Sequence, residues 1–104
     1  MEQKMEHLSD EELFHLLGEE KVSTEKVFTE LYYRYSPQVF AYCRRFLNSH
    51  EEAQDVFQET FIKFHQSLEK NTTMTNLLGY LLKIARNQCY NLKRNERFTI
   101  TYDD

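Results

Sequence analysis

Basic and hydrogen-bonding side chains recur at helical spacing near the C-terminus of this 104-residue sequence, so that one helix face would carry all of them. Arginine and lysine neutralise phosphates, and asparagine and tyrosine add contacts to sugars and bases, whereas a solubilising face more often alternates lysine with glutamate. The pattern predicts nucleic-acid binding, with a solvated basic face as the alternative. The stripe consists of Lys83, Arg86, Asn87, Tyr90, Arg94 and Arg97, with Lys93 beside them.

The segment before this stripe, residues 69–75, has no apolar repeat and is predicted to be a loop. Its amides, hydroxyls and methionine offer hydrogen bonds and a soft apolar contact, which together can hold a base that has left its stack. The loop therefore joins the candidate nucleic-acid surface with Asn71, Thr72, Thr73, Met74 and Thr75.

A second stripe is acidic and lies on the outer side of a helix predicted over residues 49–68. An isoleucine exposed among carboxylates is more typical of a docking surface than of a purely solvated helix. We therefore expect a protein partner on this face, and a solvated acidic face is the alternative. The members at i, i+3, i+4 and i+7 are Asp55, Gln58, Glu59 and Ile62, with Lys63 adjacent.

The net charge changes sign along the chain. Residues 1–75 carry 8 Lys/Arg and 14 Asp/Glu, whereas residues 76–97 carry five Lys/Arg against Glu96 alone. The overall charge of −4 therefore combines an acidic body with a basic C-terminal segment, and it does not exclude a nucleic-acid partner.

Helices are the elements predicted to position both stripes. The chain has two glycines and one proline, too few turn residues for a sandwich or barrel, and its apolar residues follow helical spacing. We expect an all-α, compact bundle of about four to five helices without a sheet. Helices are predicted over residues 9–18, 23–35, 37–47, 49–68 and 77–94, with a break at Ser36-Pro37 and a strand-like or disordered end over 98–104. Capping boxes at Ser9 and Ser49 predict two of the helix starts, and the other starts are predicted near Ser23 or Thr24 and at Thr75 or Asn76.

Other kinds of site are not predicted. The sequence has no HExxH, no glycine-rich phosphate loop and no GxSxG, so an enzyme, a metal site and a cofactor are not expected. The histidines are expected at the surface, and Cys43 and Cys89 as reduced core thiols, with a disulfide as the alternative. Without a signal peptide or a run of about 20 apolar residues, a cytoplasmic location is expected.

Three segments together resemble region 2 of bacterial sigma-70 family factors of the extracytoplasmic-function (ECF) group: FTELYYRYSPQVFAYCRRFL, EEAQDVFQETFIKF and LLGYLLKIARNQCYNLKR. The resemblance covers residues 28–97, and its densest motifs are residues 55–61 and 84–87. It implies a region 2-like helical domain over 23–97 and the start of an interdomain linker over 98–104, preceded by the N-terminal helix and turn that the residue pattern predicts over 1–22. No helix-turn-helix of region 4 is expected after it.

The resemblance also implies partners for both stripes. The acidic helix would dock on the clamp helices of the RNA polymerase β′ subunit, and the basic helix with its preceding loop would read the promoter minus-ten element and capture a flipped non-template base. Tyr80 would join the DNA-contacting residues. An anti-sigma factor is a further implied partner. Gln54, Tyr80 and Asn91 depart from the family's usual acid, tryptophan and aspartate, which affects the details of strand opening and base choice.

Two other functions compete with this one. A helical regulatory module that binds only proteins would use the same stripes without DNA. An independent helix-turn-helix repressor is disfavoured because the helix predicted after Pro37, with Val39, Phe40 and Cys43, is mostly apolar and makes a poor recognition helix.

Overall fold

The computed structural model describes residues 5–19, 23–70 and 76–102, with side chains in the last helix described up to residue 94. Within these residues there are four helices and no strand, so the predicted all-α fold is confirmed. The helices are α1 (Asp10–Gly18), α2 (Thr24–Phe46), α3 (His50–Glu69) and α4 (Leu77–Tyr102). No helix among the described residues is long and apolar enough to cross a membrane.

The predicted caps fix where the helices begin. Ser9 and Glu12 form a reciprocal capping box at α1, and Ser23 and Ser49 each accept an amide hydrogen bond at the start of α2 and α3. At α4 the cap is Asn76, whose Oδ1 accepts from the Gly79 amide at 3.0 Å. A Cβ on Gly79 would lie 2.7 Å from the Asn76 side-chain nitrogen, so the glycine leaves room for this cap.

The predicted break at Ser36-Pro37 is wrong, because α2 runs through it as one 23-residue helix. Proline removes a backbone donor and costs about 3 kcal/mol inside a helix. Buried residues continue with the same four-residue spacing on both sides of it, with Val27 and Leu31 before and Val39 and Cys43 after. Packing of this uninterrupted face offsets the local cost, since tertiary contacts supply most helix stability.

Helix α4 also differs from the prediction. It continues to Tyr102, so the strand-like or disordered end expected over residues 98–104 is wrong as far as residue 102. Extending an existing helix requires no new nucleus, and each added residue of ordinary propensity costs less than about 0.7 kcal/mol. Its buried residues are Leu77, Leu81, Ala85 and Cys89. The sequence pattern predicts Leu81, Ala85 and Cys89 in the core, and it also predicts Leu78, Ile84 and Leu92 there, which are half-buried at the edge of this face.

The core lies where α2, α3 and α4 meet. Phe64 and Leu31 are fully buried, and Thr60 is buried with its hydroxyl donating to the Val56 carbonyl at 2.7 Å. Cys43 and Cys89 are free, buried thiols, as predicted. Burial raises the pKa of Cys43 to about 12, and the adjacent Cys89 adds to this shift, so the contact joins α2 to α4 through neutral thiols.

Helix α1 is attached to α2 by a polar cluster around Arg34. The guanidinium donates from Nη1 to Asp10 Oδ1 at 3.1 Å, from Nε to Glu30 Oε2 at 2.8 Å and from Nη2 to the Met5 carbonyl at 2.8 Å. Burial alone would lower the pKa of Arg34, but the two carboxylates outweigh it and the pKa is raised. Arg34 thus stays charged while it binds Glu30 on its own helix and two groups from the N-terminal segment, Asp10 and the Met5 carbonyl.

Tyr35 makes this attachment dependent on pH. Its hydroxyl donates to Asp10, and burial followed by this bond raises its pKa to about 12. Because the folded pKa exceeds the ordinary value near 10, the stabilisation is complete below pH 10 and is lost as pH rises through about 12. We expect Tyr35→Phe to lower the free energy of unfolding by about 1 kcal/mol at pH 8, with a smaller difference at pH 11, in urea titrations.

Tyr33→Phe is the matched control, because Tyr33 is 72% exposed on the same helix and should show no difference at either pH. A Tyr35→Phe effect of equal size at both pH values would contradict the assignment of the hydrogen bond to the protonated tyrosine.

Candidate nucleic-acid and protein interfaces

The acidic stripe lies on the solvent side of α3. Asp55, Gln58 and Lys63 are exposed, Glu59 is half-exposed, and Ile62 is 51% exposed, while Val56 and Thr60 on the opposite side face the core. Glu59 and Lys63 form an ion pair at 3.9 Å whose side chains are both 46% exposed. Such a pair contributes little stability, so the stripe is available to a partner at little cost to the fold.

A shallow apolar groove adjoins this stripe and was not foreseen from the sequence. It encloses about 580 Å³ between α2 and α3. Two stripe residues, Gln58 and Ile62, form part of its wall, so the acidic stripe and the groove make one continuous surface. Four aromatic side chains line it: Phe28, Tyr32 and Phe57 are half-buried, whereas Phe61 is buried and forms part of the core.

The basic stripe lies on the exposed face of α4. The side chains of Lys83, Arg86, Asn87, Tyr90, Lys93 and Arg94 are all exposed, with Tyr90 at 52%. Arg97 falls within the helix, but its side chain lies outside the described part, as do loop residues 71–75. Among residues 77–94 of this helix there is no acidic side chain, so the face is uniformly positive and suited to a polyanion.

Arg86 and Tyr90 form a cation–π pair at the centre of this stripe. The guanidinium carbon lies 5.3 Å from the Tyr90 ring centroid, and Nη2 donates to the Tyr90 hydroxyl at 3.5 Å. This hydrogen bond raises the pKa of Arg86, which therefore remains a cation. An exposed ring beside a guanidinium can stack on a base while the charge meets a phosphate.

The two stripes therefore lie on separate helices and both face solvent.

The sequence model of Sigma-70 region 2 matches residues 31–99, which is about two thirds of the chain and includes all the described stripe residues. The chain belongs to the sigma-70 region 2 family. In sigma factors this region binds the RNA polymerase core and the promoter minus-ten element, and it is not an enzyme family. No curated protein and no solved structure matches the chain.

In this sigma-70 region 2 domain, Tyr80 connects the start of α4 to the end of α3. Its hydroxyl lies 2.6 Å from Ser67 Oγ, and Ser67 in turn donates to the Lys63 carbonyl at 3.2 Å. Because the single Ser67 proton is engaged by Lys63, Tyr80 is the donor. The half-buried ring thus holds the first turn of α4 against the last turns of α3.

His65 is half-buried rather than at the surface, which corrects the expectation for this histidine. Its Nε2 lies 2.8 Å from Glu25 Oε1, its Nδ1 lies 3.6 Å from Glu69 Oε1, and its ring packs edge-on against Phe28 with centroids 4.8 Å apart. His65 thereby closes one end of the apolar groove. Among the residues that the structure describes, no cluster of His, Cys, Asp or Glu could hold a metal ion.

Proposed function

We propose that this chain is the region 2 domain of an ECF-type sigma factor, which acts in the cytoplasm with RNA polymerase. The α3 stripe, through Asp55, Gln58, Glu59, Ile62 and Lys63, docks on the β′ clamp helices. The observation that carries the proposal is that two outward faces of opposite character occupy different helices of one small bundle. Two macromolecules can therefore be held at once.

The polymerase contact supplies most of the affinity in this proposal. An exposed isoleucine beside an apolar groove can bury area against a helix of the partner, while the surrounding carboxylates select basic residues on it. The continuous surface formed by stripe and groove supports a helical partner, since amphipathic helices commonly bind in such grooves.

The α4 face is proposed to hold the non-template strand of the minus-ten element, with loop residues 71–75 and Tyr80 completing the base-capture region. Its cations meet the phosphates, and the Arg86–Tyr90 unit offers a stacking surface to an unpaired base. Few cations on an acidic protein release few counterions, so we expect the chain alone to bind single strands weakly and with strong salt dependence.

Arg86→Ala tests the DNA half of this proposal. We expect promoter opening by the reconstituted holoenzyme to fall by about tenfold, because a phosphate contact and the stacking partner of Tyr90 are lost together. Polymerase binding should be unchanged. Opening is measured with a fluorescent base in the minus-ten region, and binding by pull-down with purified polymerase core.

Lys26→Ala is the control for charge, since Lys26 is an exposed cation in the first turn of α2 and not a member of the α4 stripe. If Arg86→Ala lost promoter opening and polymerase binding equally, a single surface would have to serve both partners, which contradicts the proposal of two separate faces. Normal opening by this variant would favour the module that binds only proteins.

A further inference from the structure

The C-terminal part of α2 lies directly beside the basic stripe of α4. Cys43 and Cys89 are both buried, with 0% and 2% exposure, and the nearby Cys89 helps to raise the pKa of Cys43. Tyr42, the neighbour of Cys43, is half-buried, and α2 packs against α4. The exposed edge of α2 therefore continues the surface on which Arg86 and Tyr90 lie.

Helical geometry divides two adjacent arginines between two sides of α2. Gln38, Tyr42 and Arg45 are spaced i, i+4 and i+7 and therefore share the side of α2 opposite Phe40. Arg44 follows Phe40 by four residues, and the Phe40 ring packs edge-on against Phe57 of α3 with centroids 5.6 Å apart. Arg45 thus lies towards the basic stripe, whereas Arg44 lies towards α3.

The charges around Arg45 favour an anionic ligand. Residues 35–48 contain no acidic side chain, and neither does the facing part of α4, residues 77–94. Arg45 is exposed and forms no ion pair with any carboxylate in the described parts of the chain. Both arginines stand in the last turn of α2 and complement the helix dipole equally, so a dipole role does not distinguish them.

We propose that Tyr42 and Arg45 extend the DNA-binding surface from α4 onto α2, with Arg45 contacting a phosphate of single-stranded DNA and the Tyr42 ring lying against the sugar or base beside it. This inference rests on the proposed DNA contact of α4 and adds a second helix to it. The Tyr42 ring is positioned by packing against Phe46, because the two ring centroids are 4.8 Å apart and the ring planes are tilted by 42°. The strand would cross from Arg86 to Arg45 over the Cys43–Cys89 contact.

Arg45→Ala and Arg44→Ala form a matched pair that tests the inference. Each variant, assembled with polymerase core, is titrated against a fluorescein-labelled single-stranded DNA of 12 nucleotides at several salt concentrations, with fluorescence anisotropy as the readout. We expect Arg45→Ala to weaken binding by about tenfold and to reduce the slope of log K against log salt by about 0.7, as for one lost phosphate contact. Arg44→Ala should change affinity less than twofold, and Arg45→Lys should keep the salt slope.

The outcomes separate this inference from the function on which it rests. Equal effects of the two alanine variants would overturn it in favour of a general charge effect. An unaffected Arg45→Ala with a weakened Arg86→Ala would also overturn it, while leaving the α4 contact intact. If the unsubstituted chain with polymerase core shows no DNA binding, or if Arg86→Ala has no effect, the proposed DNA function itself fails. Melting temperatures of the matched pair verify that both variants fold equally well.

Discussion

The double variant Asp55→Arg with Glu59→Arg is expected to lose association with polymerase core completely while keeping its helical content and melting temperature. Both residues lie outside the core, and the single ion pair described for Glu59, with Lys63, is half-exposed. Substitutions at such positions usually change stability by less than about 0.5 kcal/mol. At an interface, however, like charges placed opposite a basic partner cost several kcal/mol.

The measurement pairs a pull-down on polymerase core with circular dichroism of the free variant. Glu6→Arg with Glu11→Arg is the matched control, because both glutamates are exposed near the N-terminus and the change in net charge is the same. If the α3 variant still bound polymerase, the acidic stripe would not be part of the interface. If the variant unfolded, Asp55 and Glu59 would have a structural role instead.

Phe64→Ala is expected to have the largest effect on stability, with a loss of about 3–5 kcal/mol in the free energy of unfolding. Phe64 is 0% exposed and the largest of the fully buried side chains described, and its ring packs against Phe28 and Phe61 with centroids 6.0 and 6.3 Å away. Small domains have a total stability of about 5–15 kcal/mol, so much of the chain would unfold near physiological temperature.

Urea unfolding followed by circular dichroism gives this free energy. Tyr33→Ala removes a similar aromatic side chain from an exposed site, 72% accessible, and should cost less than about 1 kcal/mol. A comparably small loss for Phe64→Ala would mean that the core closes around the missing ring or is packed differently.

Helix positions were predictable where a signal is local, and less so where it depends on packing. The caps at Ser9, Ser23 and Ser49 placed three helix starts correctly, because cap residues bond to amides within the same turn. The prediction of a helix break at Pro37 is wrong, because Pro37 lies inside α2. The four-residue repeat from Val27 to Cys43 crosses it in phase and was the signal for a single helix, since that repeat reflects burial against α3 and α4.

The two charged stripes were predictable for a related reason, since the exposed face of a helix is the complement of its apolar repeat. Features formed by contacts between helices were not predictable from the sequence. The groove beside Ile62, the Arg34 cluster and the packing of α2 against α4 depend on how the helices are arranged in space, which spacing within one helix does not specify. The predicted base-capture loop, residues 71–75, and the Arg97 side chain lie outside the described residues.

The thiol contact between α2 and α4 has a practical consequence for labelling. Because burial raises the pKa of both thiols, little of either is thiolate at neutral pH, and burial also shields them from maleimides and iodoacetamide. Both natural cysteines can therefore stay in place when a single surface cysteine is introduced for a fluorophore. The rate of any slow alkylation of Cys43 and Cys89 then reports how often α2 and α4 separate.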